Sequence, residues 1–188
     1  AFVSKIPANA IGDAAVATMK KLGVDCRHIV RGGKRLGIYF LENGASVRPS
    51  SVVYDRADSA ITQALAEEFD FDTIFEGVDL FHVSGITPVL SDTAAELTMT
   101  ALKKAKEHGV TVSFDLNYRA KLWTEDVEGK QKMLSDMMPY VDICFGNARD
   151  AAKCLGYTEG DTDFINGDYS ICVCLLYTSP SPRDPKTS

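Results

Sequence analysis

The chain has 188 residues, of which 45% are hydrophobic and 24% charged, with a formal net charge of −6. That composition fits one globular domain, or a domain and a half, and excludes a disordered chain, a collagen-like repeat or a coiled-coil rod. The longest apolar runs fall well short of the roughly 18 residues that cross a bilayer. An acidic chain of this kind is not expected to bind nucleic acid nonspecifically, yet a few arginines in a cleft would still hold an anionic substrate.

The elements follow in chain order. Phe2 to Ile6 reads as a short strand. The first residues lack the basic-then-apolar pattern of a secretory signal, and the absence of an initial Met reads as a fragment. Ile11, Ala15, Met19 and Leu22 share one helical face, with Gly23 as the stop. Cys26–Val30, Leu36–Leu41 and Val47–Tyr54 then read as strands of a small antiparallel sheet over residues 26–55. Asn43-Gly44 is its hairpin signal, and Pro49 marks an edge. Beyond it the pattern alternates. Residues 59–68 are expected to form a helix, 78–85 a strand, and 91–108 a long helix capped by Ser91 and ended by Gly109. A strand over 110–115 follows, then a helix from a Thr124 cap to about Met138, a strand over 141–146, and a helix opened by Asn147 and running to Leu155. Strands alternating with helices of this length predict an α/β fold with a doubly wound, mostly parallel sheet, carrying the small antiparallel sheet as a lid.

Ligands of such sheets bind beyond the carboxyl ends of the strands. Three runs lie there: Ser84 to Pro88, Asp115 to Arg119, and Gly146 to Asp150. The run Asp115-Leu116-Asn117-Tyr118-Arg119 sets a carboxylate, an amide and a guanidinium at one strand end. Arginine suits bidentate binding of carboxylate or phosphate, and asparagine both donates and accepts. The bland alternative is a solvated loop with a surface ion pair. A second cluster is Tyr54-Asp55-Arg56 with Tyr39 on the facing strand. Tyr54 and Arg56 point to one face of an extended chain, an aromatic platform beside a guanidinium; the alternative is a cross-strand tyrosine pair with a solubilising arginine. Arg31-Gly32-Gly33-Lys34-Arg35 lacks phosphate-loop spacing and reads as a solvated turn. His82 is expected to be packed within its strand, and Trp123 to anchor the core. The cysteines Cys26, Cys144, Cys154, Cys172 and Cys174 make neither a CxxC pair nor a zinc set, so reduced thiols and a cytoplasmic address are expected.

These runs together resemble the ribokinase-like, PfkB-type carbohydrate kinases, and among them the subgroup that acts on 2-dehydro-3-deoxygluconate. The resemblance is carried by Gly37-Ile38-Tyr39, Val53 to Ala60, His82 to Pro88 and Asp115 to Trp123, and extends from residue 1 to about 170. It implies transfer of the γ-phosphate of ATP to a hydroxyl of a small sugar acid, with Mg²⁺. It also implies a substrate pocket formed by Tyr39, Tyr54, Arg56, Ile86 and Arg119, with Asn117, Tyr118, Arg119 and Asn147 on the nucleotide side. Asn147 and Asp150 match the family's Asn-x-x-Glu motif near the phosphates and metal, Asp150 being one methylene shorter than the usual Glu. Related kinases pair through their lids, so a homo-oligomer joined at 26–55 is expected.

No Gly-Ala-Gly-Asp run occurs in the 188 residues, so the family's general base is expected beyond residue 173 and this chain alone is expected to be inactive. Residues Cys174 to Asp184 resemble one translated frame of a transposon-type sequencing adapter. The expected domain is therefore 1–173, with 174–188 as a non-native tail. The competing reading is a non-catalytic nucleotide- or sugar-binding module. An NAD-dependent oxidoreductase would need a GxGxxG turn, which is missing.

Overall fold

A computed structural model describes residues 1–157 and 172–174. The chain divides into two compact units, Ala1–Ile74 with Leu90–Ala101, and Phe75–Val89 with the chain from Leu102 on.

In the first unit, β1 (Ser4–Ile6) and β2 (Ile29–Arg31) pair in parallel, with α1 (Ala10–Lys21) as the crossover between them. Asn9 caps α1, its Oδ1 accepting the Gly12 N–H at 3.0 Å. A Cβ on Gly12 would lie 2.0 Å from the Pro7 carbonyl oxygen, so only glycine lets the helix start so close to the strand end. The predicted apolar stripe is only partly covered: Ala15 and Met19 are half-buried, while Ile11 and Leu22 are 64% and 78% exposed. The strand expected at Cys26–Val30 begins three residues later and joins β1 rather than the lid. A helical crossover brings a strand back parallel to its predecessor, and the Gly32 N–H extends that ladder to the Ile6 carbonyl at 3.0 Å.

The lid is a two-stranded antiparallel sheet, β3 (Ile38–Glu42) and β4 (Ser51–Asp55), in the register Tyr39↔Tyr54. Asn43-Gly44 is not its turn. Pairing stops at Glu42↔Ser51, and the tip is made by Ala45 to Arg48, with Ser46 at φ 53° and the Arg48 N–H donating to the Ala45 carbonyl. Pro49 has no N–H to donate, so the ladder does not run on to the Asn-Gly pair.

The helix expected at 59–68 is two 3₁₀ turns, Ala60–Gln63 and Ala66–Glu68, parted by extended Ala64 and Leu65. The Glu68 carboxylate explains the break. It accepts the Leu65 N–H at 2.9 Å and the Lys5 ammonium at 2.6 Å, contacts that a continuous helix would separate. A short helix without a forecast, α2 (Phe71–Phe75), follows, with Asp70 Oδ1 accepting the Thr73 N–H. The apolar interior of this unit includes Ile6, Ala60, Ala64, Phe69, Phe71 and Leu97.

In the second unit, β5 (Leu80–Ser84), β6 (Thr111–Asp115), β7 (Ile143–Phe145) and β8 (Cys172–Cys174) form one parallel sheet in that order. Among the described residues β6 has a neighbour on each side, and Val112 and Phe114 are fully buried. The helix α3 (Asp92–Glu107) is capped as expected, the Ala94 N–H donating to Ser91 Oγ, and Gly109 follows at φ 68°. The next helix, α4 (Val127–Met137), is capped by Asp126, not Thr124. Asp126 adopts φ 45°, which turns its carboxylate onto the Gly129 N–H. The last, α5 (Ala148–Leu155), opens at Asn147 and ends at Gly156 in the left-handed region.

Trp123 is buried as predicted. His82 is not packed in: it shares the exposed face of β5 with Leu80, and its Nδ1 meets Ser113 Oγ at 2.9 Å. Strand alternation sends Phe81 the other way, onto the Phe75 ring at 5.2 Å. Residues 175–188 of the expected tail lie outside the described residues.

Candidate functional site

The lid supplies the first group. Tyr39 and Tyr54 are cross-strand partners with ring centroids 6.4 Å apart, and the Arg56 guanidinium lies 4.3 Å from the Tyr54 ring centre. Both descriptions of this cluster therefore hold at once, a tyrosine pair and a guanidinium set on an aromatic platform. All three residues line a cavity of about 400 Å³, together with residues of β1, α1 and the lid base such as Lys5, Met19 and Arg35. Arg35 is a lining residue that the sequence patterns leave out. It grips the base of β4, donating to the Asp55 carbonyl at 3.1 Å and pairing with its carboxylate at 2.6 Å. The guanidinium's hydrogen bond to the carboxylate holds the Asp55 carboxyl below its usual range. Lys5 also lines the cavity, but its ammonium is committed to Glu68.

The second group lies at the carboxyl ends of β5, β6 and β7. Gly85, just past β5, donates to the Asp115 carbonyl at 2.7 Å, and a Cβ there would lie 2.6 Å from the Leu116 oxygen. Ser84 Oγ accepts the Ile86 N–H and the Asn117 Nδ2–H. Asn117 takes φ 47° and donates its own N–H to Asp115 Oδ1. Asparagine tolerates this left-handed conformation better than most residues. Its NH₂ group ties two strand ends together, and among the described residues its Oδ1 has no hydrogen-bond partner. Ile86 is half-buried in the turn after β5. Tyr118 packs on Trp123 at 5.6 Å, and Arg119 is exposed.

Asn147 and Asp150 form a capping box at the start of α5. Asn147 Oδ1 accepts the Asp150 N–H at 2.8 Å, and Asp150 Oδ2 accepts the Asn147 N–H at 3.4 Å. The sequence pattern anticipates Asn147 as the helix opener, but not the reciprocal bond from Asp150. The long second bond leaves that carboxylate with acceptor capacity. Among the described residues no group of three or more His, Cys, Asp or Glu would hold a metal ion. A lone carboxylate of this kind fits Mg²⁺, which keeps most of its waters and is held mainly by substrate phosphates. Arg149, whose guanidinium lies 6.0 Å from the Tyr118 ring centre, joins this edge as a further residue.

Two thiols close beneath this edge are buried. Burial pushes Cys144 and Cys154 up to about 12, helped by the negative charge of Asp115 at Cys144 and chiefly of Asp150 at Cys154. Among the described residues no helix is long and apolar enough to cross a membrane.

Known proteins share this architecture. A curated 2-dehydro-3-deoxygalactonokinase from Haloferax volcanii is 38% identical over 150 residues, 80% of this chain and 46% of that protein. A 2-dehydro-3-deoxygluconokinase from Dickeya dadantii is 32% identical over 149 residues, covering 77% of this chain and 47% of its own length. The crystal structure of the 2-dehydro-3-deoxygluconokinase from Thermotoga maritima superposes with a TM-score of 0.79 at 53% identity, over 84% of this chain and 47% of the other. The chain thus spans about half the length of these relatives. Residues 1–165 match the family described as pfkB family carbohydrate kinase, and the chain belongs to that family.

Proposed function

We propose that the protein carrying this chain transfers the γ-phosphate of ATP to a hydroxyl of a 2-dehydro-3-deoxy sugar acid, with 2-dehydro-3-deoxygluconate as the first candidate. The observation that carries the reading is the Tyr39–Tyr54–Arg56 cluster on its cavity. Tyrosine rings give a flat apolar bed and a hydroxyl for a short polyol. A guanidinium seated on the ring supplies the forked donor that a carboxylate takes. Relatives named for two epimeric sugar acids support the substrate class.

At the other group, Ile86 supplies an apolar wall and Arg119 an exposed positive charge for the acid or the phosphates. Asn117 Oδ1, Tyr118 and Asn147 face the nucleotide. Asp150 is the residue that would hold Mg²⁺ through water. The metal, when bound, neutralises phosphate charge as the phosphoryl group moves, and positioning supplies the rest of the rate. Reduced Cys26, Cys144 and Cys154 favour a cytoplasmic address.

The lid also favours a homo-oligomer. Phe40, Leu41 and Val53 are each more than half exposed on a sheet that no second layer covers among the described residues, and light scattering on the whole protein should report at least a dimer. Release of ADP tests the activity. The whole protein with 2-dehydro-3-deoxygluconate or its galactonate epimer should yield ADP in proportion to sugar acid consumed. No release with either, under conditions where the protein is folded, rejects the proposal.

A further inference from the structure

Two arginines adjoin Tyr118. Arg119 follows it in the chain, and Arg149 approaches its ring at 6.0 Å from another strand end. Both arginines are exposed. Among the described residues, Arg27, Arg31 and Arg35 pair with Asp25, Asp13 and Asp55, whereas Arg119 and Arg149, like Arg48 and Arg56, have no carboxylate partner. Arg119 donates only to the carbonyl of its own neighbour, Tyr118.

The place of Arg149 is electrostatically awkward. It is the second residue of α5, at the positive end of the helix dipole, where a cation is disfavoured. The adjacent Asp150 makes no ion pair with it, its carboxylate accepting the Asn147 N–H instead. Arg149 is exposed, and among the described residues its guanidinium has no hydrogen-bond or ion-pair partner, lying 6.0 Å from the Tyr118 ring centre. A cation kept at such a position, with its nearest aromatic neighbour flanked by a second free cation, matches an anion with more than one charge. On the proposed reading, the multiply charged partner arriving at this edge is the nucleotide polyphosphate.

We propose that Arg149 is a phosphate-binding residue for the nucleotide, working with Arg119 on the non-bridging oxygens of the polyphosphate. The inference rests on the ATP-dependent reading above, and adds to it a charged contact outside the Asn147 and Asp150 pair. Its specificity is for polyphosphate charge, not for the base.

Calorimetric titration of the whole protein with ATP, inorganic tripolyphosphate and adenosine tests it. Arg149→Ala should weaken ATP and tripolyphosphate by about tenfold or more, the loss of one charge-assisted contact. Adenosine should stay within twofold, and Arg149→Lys should recover part of the affinity. ATP and tripolyphosphate within twofold of wild type would overturn the inference while leaving the kinase reading intact. An equal loss for all three ligands would overturn it too, by assigning Arg149 a structural role. Wild-type protein that binds no ATP would overturn the ATP reading itself, and this inference with it.

Discussion

Gly85→Ala is the sharpest test of how the strand ends are spaced. The added Cβ would lie 2.6 Å from the Leu116 oxygen and 3.1 Å from Phe114 Cε1. Ordinary contact begins at 3.4 Å, so the backbone must part by about 0.8 Å (3.4 minus 2.6). The neighbour is a main-chain carbonyl at the carboxyl end of a parallel pair, which cannot swing away as a side-chain tip would. Overpacking of this kind costs about 1–3 kcal/mol. The displacement also stretches the Gly85 N–H bond to Asp115, worth about 1 kcal/mol. The sum is about 2–4 kcal/mol, which for a chain of this length lowers Tm by roughly 4–16 °C. Gly77→Ala is the control. Gly77 has φ 68° and open space around its Cβ position, so its cost is conformational strain alone, about 1–2 kcal/mol. Thermal melts followed by circular dichroism should show Gly85→Ala as the more damaging change, although its backbone is not left-handed. A Gly85→Ala melt within 1 °C of wild type would refute the crowding argument.

Other outcomes follow from the same contacts. Replacing Arg56 or Arg119 with Ala in the whole protein should lower kcat/KM for the sugar acid roughly 10- to 150-fold, the value of a charge-assisted contact, and steady-state kinetics within twofold of wild type would reject that residue. The Glu68 carboxyl is held below its usual range first by the Leu65 N–H and then by Lys5. Its stabilisation should therefore be fully present above about pH 4.5 and disappear as the pH falls through its lowered value, an acid limb that Glu68→Gln should flatten in Tm measured from pH 3 to 7. Glu68→Ala at neutral pH takes the ion-pair partner from the buried Lys5 ammonium, leaving it the Gln63 carbonyl at 3.4 Å, and should cost about 3–5 kcal/mol in denaturant melts. Cys144 and Cys154, buried and raised to about 12, should resist iodoacetamide at pH 8 until the chain is denatured, as peptide mapping by mass spectrometry would reveal.

Where one local interaction decides an element, its sequence was readable. Ser91, Gly109 and Asn147 mark helix ends because each solves a helix-end problem by itself, and the structure uses all three. The Tyr39–Tyr54–Arg56 cluster was equally legible, since strand alternation and one register place the three together. Elements settled by distant partners were not. The break at Ala64 depends on Lys5, some sixty residues away, claiming Glu68. The parallel pairing of β2 depends on the crossover through α1 bringing the chain back beside β1. Thr124 and Asp126 are both good caps by residue type. The choice between them rests on Asp126 taking φ 45° while Lys130 binds the carbonyls of Leu122 and Glu125. The Asn-Gly pair in the lid was overruled by a proline five residues further on, whose missing donor matters only once the register is known.

The thinness of the lid has a consequence in time as well as in space. Two strands with no third neighbour are marginal on their own in water, and the residues of β3 are exposed throughout. Their amide hydrogens should trade with deuterium through frequent small openings, at a free-energy cost far below that of unfolding the chain. The β6 amides, flanked by strands on both sides and seated over Val112 and Phe114, should exchange only when the whole unit comes apart. The polypeptide therefore carries two clocks, a fast one at the tyrosine platform and a slow one at the strand ends.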